Sequence, residues 1–216
     1  MQSIRLQGVV PNVFNGQVPS DPMSDVWGTD LLFEKGSSYL IKAASGRGKS
    51  SLCSYIYGLR DDYEGRFLFD DVPVPDVKSS RWNEIRQEHL GVLFQDLRLF
   101  GDLTAVENVM IKAGLTSYCD EKRAVGMLCE LGLSDRLDRP VRILSFGQQQ
   151  RVAFVRMLCQ KADFWLLDEP VSHLDSANAA IMVQMLENQI SQSETGLIVT
   201  TIGHDLPYNY DKVLML

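Results

Sequence analysis

The amino-acid sequence predicts an α/β protein with a parallel core sheet, an N-terminal antiparallel β region and an inserted α-helical lobe. Three observations support this fold class. Short apolar strands alternate with helical patterns on both sides of the middle of the chain, as in mostly parallel sheets. Residues 1–42 have a strand-rich pattern, and residues 96–145 carry helical patterns in succession.

Length and composition favour one domain over residues 1–216. The 216 residues are 45% hydrophobic, enough for one sizeable core. We expect residues 1–95 and 151–216 to form the α/β core with the β region, and residues from about 96 to 150 to form the helical lobe.

Charge and hydropathy exclude several function classes. The net charge of −7 argues against non-specific nucleic-acid binding. We expect no signal peptide, because the N-terminus has no cationic start followed by an apolar run. No run of about 18 apolar residues occurs, so we expect no membrane insertion, and any membrane role requires a partner. The four cysteines form no C-x-x-C pair, which favours buried reduced thiols in a cytosolic protein over a metal site.

The first half of the chain contains three apolar strands and one helix. Residues Ser37 to Ile41 become apolar toward their end and predict a buried strand, and Ser51 to Leu59 carry apolar residues at helical spacing. Arg66 to Phe69 and Leu90 to Phe94 predict two further strands.

The lobe and the C-terminal half follow from capping signals and apolar runs. Thr104 and Glu107 match a capping box, and Asp120 to Leu131 predict a helix that ends at Gly132. The remaining predicted elements are a helix from about Gln148, a strand from Phe164 to Leu167, a helix after Asp175, a strand from Leu197 to Thr201 and a strand from Lys212 to Leu216.

The segment from Ala43 to Ser50 predicts a phosphate-binding loop between a strand and a helix. Backbone N–H groups and the helix N-terminus would bind phosphate, Lys49 would reach the β- and γ-phosphates, and Ser50 would ligate Mg²⁺. Ala43 replaces the first glycine of the usual pattern, and an ordinary Gly-rich turn with a solvated lysine is the alternative. The candidate nucleotide-binding residues here are Ser45, Gly46, Arg47, Gly48, Lys49, Ser50 and Ser51.

Two carboxylates follow the predicted strand from Phe164 to Leu167. At the carboxyl end of a parallel strand, Asp168 could hold Mg²⁺ and Glu169 could act as a general base toward water. A solvated Asp-Glu-Pro turn is the alternative.

The segment from Leu144 to Arg151 links these motifs to a family. Ser145 and Gln148 match a capping box, and a Ser-led helix start next to Gly147 is itself an anion site. The segment resembles the signature L-S-G-G-Q of ATP-binding cassette proteins, with Phe146 in place of the first glycine.

The resemblance extends over nearly the whole chain and implies further site residues. Gln95 resembles the glutamine that senses Mg²⁺ and couples to the membrane subunit, and His204 resembles the switch histidine that contacts the γ-phosphate. Phe14 resembles the aromatic residue that stacks on adenine, although a strand residue in the core is the alternative. Residues Ser172 to Asp175 resemble the loop that contacts the dimer partner.

The resemblance also implies fold and function. It implies a P-loop NTPase fold with a RecA-like parallel core, and an ATPase that uses ATP and Mg²⁺ as the subunit of an ABC transporter or related membrane complex. The implied catalytic residues are Glu169, His204, Lys49 and Gln95. The implied metal ligands are Ser50, Gln95 and Asp168, and the implied nucleotide contacts add Phe14, Ser145, Gly147 and Gln148.

The implied partners are ATP, a separate transmembrane subunit and a second copy of the chain in the ATP-bound state, with no nucleic acid. The implied location is the cytoplasmic face of the membrane. The motifs are most similar to the short cassettes of lipoprotein-release, cell-division and macrolide-exporter systems. A groove beside Gln95, with Leu97, Leu99 and Phe100, would dock a helix of the membrane subunit, unless these residues pack inside the lobe.

Two other functions stay open from the sequence. A soluble cassette could act on nucleic acid or ribosomes, although the net charge and the single cassette argue against it. A binding-only switch would result if Phe146 damages turnover.

Overall fold

The structure is a computed structural model that describes residues 1–14 and 23–216. It contains a five-stranded sheet and a four-stranded sheet. The strands are β1 (Ser3–Pro11), β2 (Asp30–Glu34), β3 (Ser38–Lys42), β4 (Tyr63–Phe69), β5 (Val72–Pro73), β6 (Leu90–Leu93), β7 (Phe164–Asp168), β8 (Gly196–Thr201) and β9 (Lys212–Met215). The helices are α1 (Lys49–Ile56), α2 (Ser79–Glu84), α3 (Ala105–Thr116), α4 (Glu121–Glu130), α5 (Phe146–Leu158) and α6 (Ser176–Ser193).

The five-stranded sheet has the order β6-β7-β8-β3-β9, and all of its neighbouring strands are parallel. Every residue of β7 and β8 is buried, which is why these strands are apolar without alternation. The carboxyl ends of these strands lie at one edge, so the residues that follow β3, β6, β7 and β8 lie near one another.

The four-stranded sheet is antiparallel, with the order β2-β1-β4-β5. It packs on the parallel sheet through a core cluster that includes Leu6 and Phe67 from the antiparallel sheet, Ile41 from β3 and Leu52 from α1. The predicted combination of a parallel core and an N-terminal antiparallel region is therefore confirmed.

Local signals set the ends of the lobe helices. Thr104 forms the predicted capping box with Glu107, and the Asp120 side chain accepts from the Arg123 N–H at the start of α4. After α4, Gly132 has φ 71°, and the N–H groups of Gly132 and Leu133 donate to carbonyls of the last turn. This is a Schellman ending, which needs a residue in the left-handed region.

The lobe shares one apolar cluster with the parallel sheet. Val109 of α3, Leu128 of α4 and Val152 of α5 belong to the same buried cluster as Leu167 of β7 and Leu186 of α6. Helix α5 begins two residues earlier than predicted. It also continues past residue 150, so the predicted end of the lobe falls inside a helix and not between two elements. The division at residues 96 and 150 stays a prediction.

Candidate nucleotide-binding and hydrolysis site

The predicted phosphate loop connects the carboxyl end of β3 to the N-terminus of α1. Gly46 has φ 80° and Gly48, which caps α1, has φ 97°, so both occupy the left-handed region that glycine adopts at low cost. Ala43 lies outside the positive-φ region, and its N–H donates to the Thr201 carbonyl at 3.1 Å. A methyl group at residue 43 is therefore compatible with the loop.

The side chain of Trp27 packs against the phosphate loop. Its indole Nε1 donates to the Arg47 carbonyl at 3.0 Å, and its ring lies 3.2 Å from the point where a Cβ on Gly48 would be. The side chain is 1% exposed, so this contact is part of the core. Substitution of Gly48 would meet both the ring and the unfavourable φ.

Lys49 is the first residue of α1, and its side chain contacts the backbone of the loop. Its Nζ donates to the carbonyls of Ala43 at 3.2 Å and Ala44 at 3.1 Å, and it lies 3.6 Å from Oε1 of Glu169. Lys49 and Glu169 are 6% and 8% exposed, so the two charges are largely shielded from water. The alternative of a solvated lysine is therefore wrong for Lys49.

A cleft of about 250 Å³ opens in front of the loop. Its lining includes most of the predicted nucleotide-binding residues and two of the predicted catalytic side chains from other elements. The lining residues are Val13, Phe14, Ser45, Gly46, Gly48, Lys49, Ser50, Ser51, Gln95 and Glu169. Phe14 lies in a single 3₁₀ turn after β1 and not in a strand, and it is half-buried at the cleft wall.

Asp168 and Glu169 lie at the carboxyl end of β7, in different environments. Oδ1 of Asp168 accepts from the Thr200 hydroxyl at 2.6 Å, across the pair of neighbouring strands β7 and β8. Glu169 has φ 52°, a left-handed conformation that costs a non-glycine residue about 1–3 kcal/mol and that clusters at functional sites. Glu169 lines the cleft, where its Oε2 accepts from Nε2 of Gln95 at 3.3 Å.

The predicted Mg²⁺ ligands are suited to that ion. The Ser50 hydroxyl lies 3.5 Å from Oε1 of Gln95, and Asp168 ends the neighbouring strand β7. Hydroxyl, amide and carboxylate oxygens are the donors that Mg²⁺ prefers.

The signature segment lies outside this cleft. Ser145 caps α5, its Oγ accepts from the Gln148 N–H at 3.3 Å, and the Gln148 side chain accepts from the Ser145 N–H at 2.9 Å. The predicted capping box is therefore confirmed. Gly147 has no room for a side chain, because a Cβ there would lie 2.8 Å from the His173 carbonyl oxygen.

Three other predicted site residues are absent from the cleft lining: Asp168, Arg47 and His204. Arg47 is half-buried within the loop, and His204 is exposed three residues after the end of β8. His204 is at the carboxyl edge of the sheet, as predicted, but it is not among the residues that line the cleft.

Three supporting residues were not predicted from the sequence. Trp27 carried no sequence signal, because it is distant along the chain from the loop it supports. Thr200 could have been found by aligning the ends of β7 and β8, since it pairs in register with Asp168. Gln150 lies on the buried side of α5, and its Nε2 donates to the Glu169 carbonyl at 3.2 Å.

Comparison with known proteins identifies the family. Residues 27–172, about two thirds of the chain, match the ABC transporter family. The "Macrolide export ATP-binding/permease protein MacB" of Shewanella sp. (strain W3-18-1) is 37% identical over 180 residues, which cover 82% of this chain and 27% of that protein. The chain thus spans about a quarter of MacB. The "Putative hemin import ATP-binding protein HrtA" of Staphylococcus aureus (strain MRSA252) is 33% identical over 192 residues, which cover 88% of this chain and 86% of HrtA.

Solved structures agree with this assignment. The dimeric structure of MJ0796, a bacterial ABC transporter cassette, is 27% identical with a TM-score of 0.76, over 94% of this chain and 88% of that chain. A post-hydrolysis state of MJ0796 bound to ADP and Pi gives a TM-score of 0.77 at 26% identity, with the same coverage.

The predicted fold class and the predicted family are both confirmed. No helix in residues 1–14 and 23–216 has the length and apolar character needed to cross a bilayer. The chain belongs to the ABC transporter family, as its ATP-binding cassette ATPase domain.

Proposed function

We propose that the cleft at Lys49 binds Mg-ATP, that Glu169 is the general base for its hydrolysis, and that the chain drives a separate membrane subunit. The observation that carries this proposal is that four predicted site residues from different elements converge on one cleft. Lys49, Ser50, Gln95 and Glu169 come from the carboxyl ends of three parallel strands and line one cleft. The solvated Asp-Glu-Pro turn is not favoured, because Glu169 is buried against Lys49.

The contacts of Lys49 indicate how nucleotide binding would prepare hydrolysis. Phosphate oxygens would replace the carbonyls of Ala43 and Ala44 and the carboxylate of Glu169 as partners of the ammonium group. The N–H groups from Gly46 to Ser50 and the N-terminus of α1 add positive potential. Glu169, released from Lys49, is then available to accept a proton from water.

We infer that Ser50, Gln95 and Asp168 hold Mg²⁺. When bound, the ion would neutralise charge on the phosphates. The Thr200 hydroxyl orients the Asp168 carboxylate toward this role, and the Gln95 amide lies between Ser50 and Glu169. His204, which follows β8, would contact the γ-phosphate.

Two copies of the chain would complete two sites. Ser145 and Gly147 lie outside their own chain's cleft, at the N-terminus of α5, where a helix attracts an anion. A head-to-tail dimer would bring this end, with Gln148, to the triphosphate held by the other chain, while Phe14 would contact adenine. MJ0796, a cassette of similar fold, has been solved as a dimer.

A phosphate-release assay tests the enzymatic part of the proposal. The purified chain should release phosphate from ATP, and the Mg²⁺ dependence should saturate. A chain that binds ATP but releases no phosphate at high protein concentration would instead support the binding-only switch.

We propose that the membrane subunit docks a helix in a groove between the lobe and the core sheet. Phe94, Phe100, Ile111 and Leu115 contribute apolar walls, and Phe100 is 54% exposed. Leu97 is buried in the core and Leu99 packs against it, so the packing alternative is correct for Leu97 and Leu99.

The charges of the groove indicate the chemistry of the docked helix. Lys112 donates to the Arg86 carbonyl, and Arg156 donates to the carbonyls of Arg98 and Leu97. In the described part of the chain, no carboxylate lies within 4.0 Å of either cation. An amphipathic helix with an acidic side chain between apolar residues would complement this groove.

Pull-down of the neighbouring membrane protein from detergent-solubilised membranes tests the docking site. Phe100→Glu should weaken recovery of the complex without changing the circular-dichroism melt. Val72→Glu is the matched control, since Val72 is 50% exposed and lies on β5, away from the groove. Equal recovery with both variants would contradict the site.

Docking to a membrane subunit would place the chain on the cytoplasmic face of the membrane. The names of its relatives, which describe transport systems, favour a transport role over a ribosomal or nucleic-acid role.

A further inference from the structure

Phe146 occupies the position where the cassette signature has a glycine, and it makes a specific contact. Its ring centroid lies 4.4 Å from that of His173, with the planes at 63°, which is an edge-to-face arrangement. Phe146 is still 42% exposed, and Nδ1 of His173 lies 2.8 Å from the Ser172 hydroxyl. The contact therefore joins the start of α5 to the loop Ser172–Asp175.

Backbone packing supports the same junction. Gly147 lies so close to the His173 carbonyl that a Cβ would be 2.8 Å from it. One turn further along α5, Arg151 donates to Oδ1 of Asn178 at 3.1 Å, and the Asn178 N–H donates to Asp175. Helix α5 thus contacts His173 within the loop and Asn178 in the first turn of α6, directly after the loop, and Phe146 lies on the exposed side of the junction.

We propose that Phe146 is a positioning residue that acts through His173 to hold the loop Ser172–Asp175 against the N-terminus of α5. The loop, Ser145 and Gly147 would then approach the nucleotide of the second chain as one unit. This role rests on the proposed ATP-driven dimer.

The opposite interpretation is that Phe146 obstructs the phosphate site, and the two interpretations predict opposite signs. If Phe146 positions the loop, removal of its ring lowers turnover and weakens the ATP-dependent dimer. If Phe146 obstructs, its removal raises both. An aromatic pair of this kind predicts an effect of about two- to tenfold.

The first measurement is made on the nucleotide-free chain. The chain contains three histidines, so their ring Cε1–H signals in an NMR spectrum are few. The signal that disappears in His173→Ala should move in Phe146→Ala, because the ring current of Phe146 is lost. If none of the three signals moves, the contact is absent in solution and the proposal is wrong.

The second measurement is a double-mutant cycle on phosphate release and on the dimer dissociation constant. Phe146→Ala and His173→Ala should each lower turnover by about two- to tenfold, and the double variant should be no slower than the slower single variant. Phe146→Tyr should retain wild-type turnover. ATP affinity of the monomer should be unchanged in all three alanine variants, because neither residue lines the cleft.

The outcomes separate this inference from the proposed function. A wild-type chain that neither hydrolyses ATP nor dimerises overturns the proposed function and the role of Phe146 with it. A wild-type chain that does both, with a Phe146→Ala variant that is equally fast or faster, overturns the positioning role alone. Additive losses in the cycle would also overturn it, because the two rings would then act independently.

Discussion

Lys112→Met should stabilise the isolated chain and weaken its docking to the membrane subunit. Lys112 lies on α3, half-buried, with the Arg86 carbonyl at 3.3 Å as its hydrogen-bond partner. Burial, and next the charge of Arg156, lower the pKa of Lys112 from 10.5 to about 8. The lowered pKa means that the folded chain disfavours the ammonium form relative to the unfolded chain.

The size of the effect follows from that pKa. A pKa lowered from 10.5 to about 8 corresponds to an upper bound of about 3 kcal/mol at neutral pH. Loss of the hydrogen bond to the Arg86 carbonyl offsets about 1 kcal/mol. The net gain should be about 1–2 kcal/mol, which raises Tm by about 2–8 °C for a chain of this size.

The pH dependence has a defined sign. Between pH 8 and 10.5 the unfolded chain binds more protons at Lys112 than the folded chain, so this residue makes wild-type stability rise with pH. The stability advantage of Lys112→Met should therefore be largest below pH 8 and disappear toward pH 10.5. Burial lowers the pKa of Arg156 from its usual value and raises the pKa of the neighbouring Tyr57.

Urea or thermal melts from pH 7 to 10 provide the assay. Lys161→Met is the matched control, because Lys161 is exposed, and it should change stability by less than about 0.5 kcal/mol. A Lys112→Met variant that is less stable than wild type at pH 7 would refute the reasoning. An advantage that stays constant up to pH 10 would also refute it. In the pull-down, the same variant should recover less membrane subunit.

Three further substitutions test the site. Lys49→Ala should lower ATP affinity by about 10²–10⁴-fold in calorimetry, since two hydrogen bonds to charged oxygens contribute about 1.5–3 kcal/mol each; unchanged affinity would remove Lys49 from the site. Thr200→Val should lower stability by about 1–3 kcal/mol in melts and raise the Mg²⁺ concentration for half-maximal turnover, because Asp168 loses a buried donor; an unchanged Mg²⁺ dependence would contradict the role of Asp168. Ser145→Arg should spare ATP binding by the monomer yet prevent the ATP-dependent dimer in size-exclusion chromatography; a dimer that forms normally would contradict the opposite-chain site.

The core of the fold was predictable because its signals are local. Buried parallel strands are apolar throughout, and Thr104, Asp120 and Ser145 mark helix starts with side chains that cap the following turn. Gly132 marks the end of α4, because its φ is positive and glycine adopts that conformation readily. Each of these features depends on residues within about four positions of one another.

The unpredicted contacts join residues that are distant in sequence. Trp27 contacts the phosphate loop 20 residues away, and Gln150 contacts the Glu169 backbone 19 residues away. From the sequence, Phe146 could be recognised only as a replacement for the first glycine of the signature. Its contact with His173 depends on how α5 packs against the segment after β7, and no local pattern records that packing.

The candidate site was predictable where a motif places several functional groups on one loop. Every residue from Ser45 to Ser51 except Arg47 lines the cleft. His204 shows the limit of motif reasoning, because a position at the correct sheet edge did not bring its side chain to the cleft. Phe14 lines the cleft from a 3₁₀ turn and not from a strand, and its contact with adenine stays a prediction.

Glu169→Gln provides the most direct measurement of the central claim. The substitution keeps the side-chain shape but removes the proton acceptor, while Lys49, Ser50 and Asp168 remain to hold Mg-ATP. Phosphate release should fall by about 10²–10⁴-fold. ATP would then persist, and the variant should elute as a monomer without nucleotide and as a dimer with Mg-ATP in size-exclusion chromatography. A variant that hydrolyses ATP at the wild-type rate would contradict the role of Glu169, and a slow variant that stays monomeric with Mg-ATP would contradict the ATP-driven dimer.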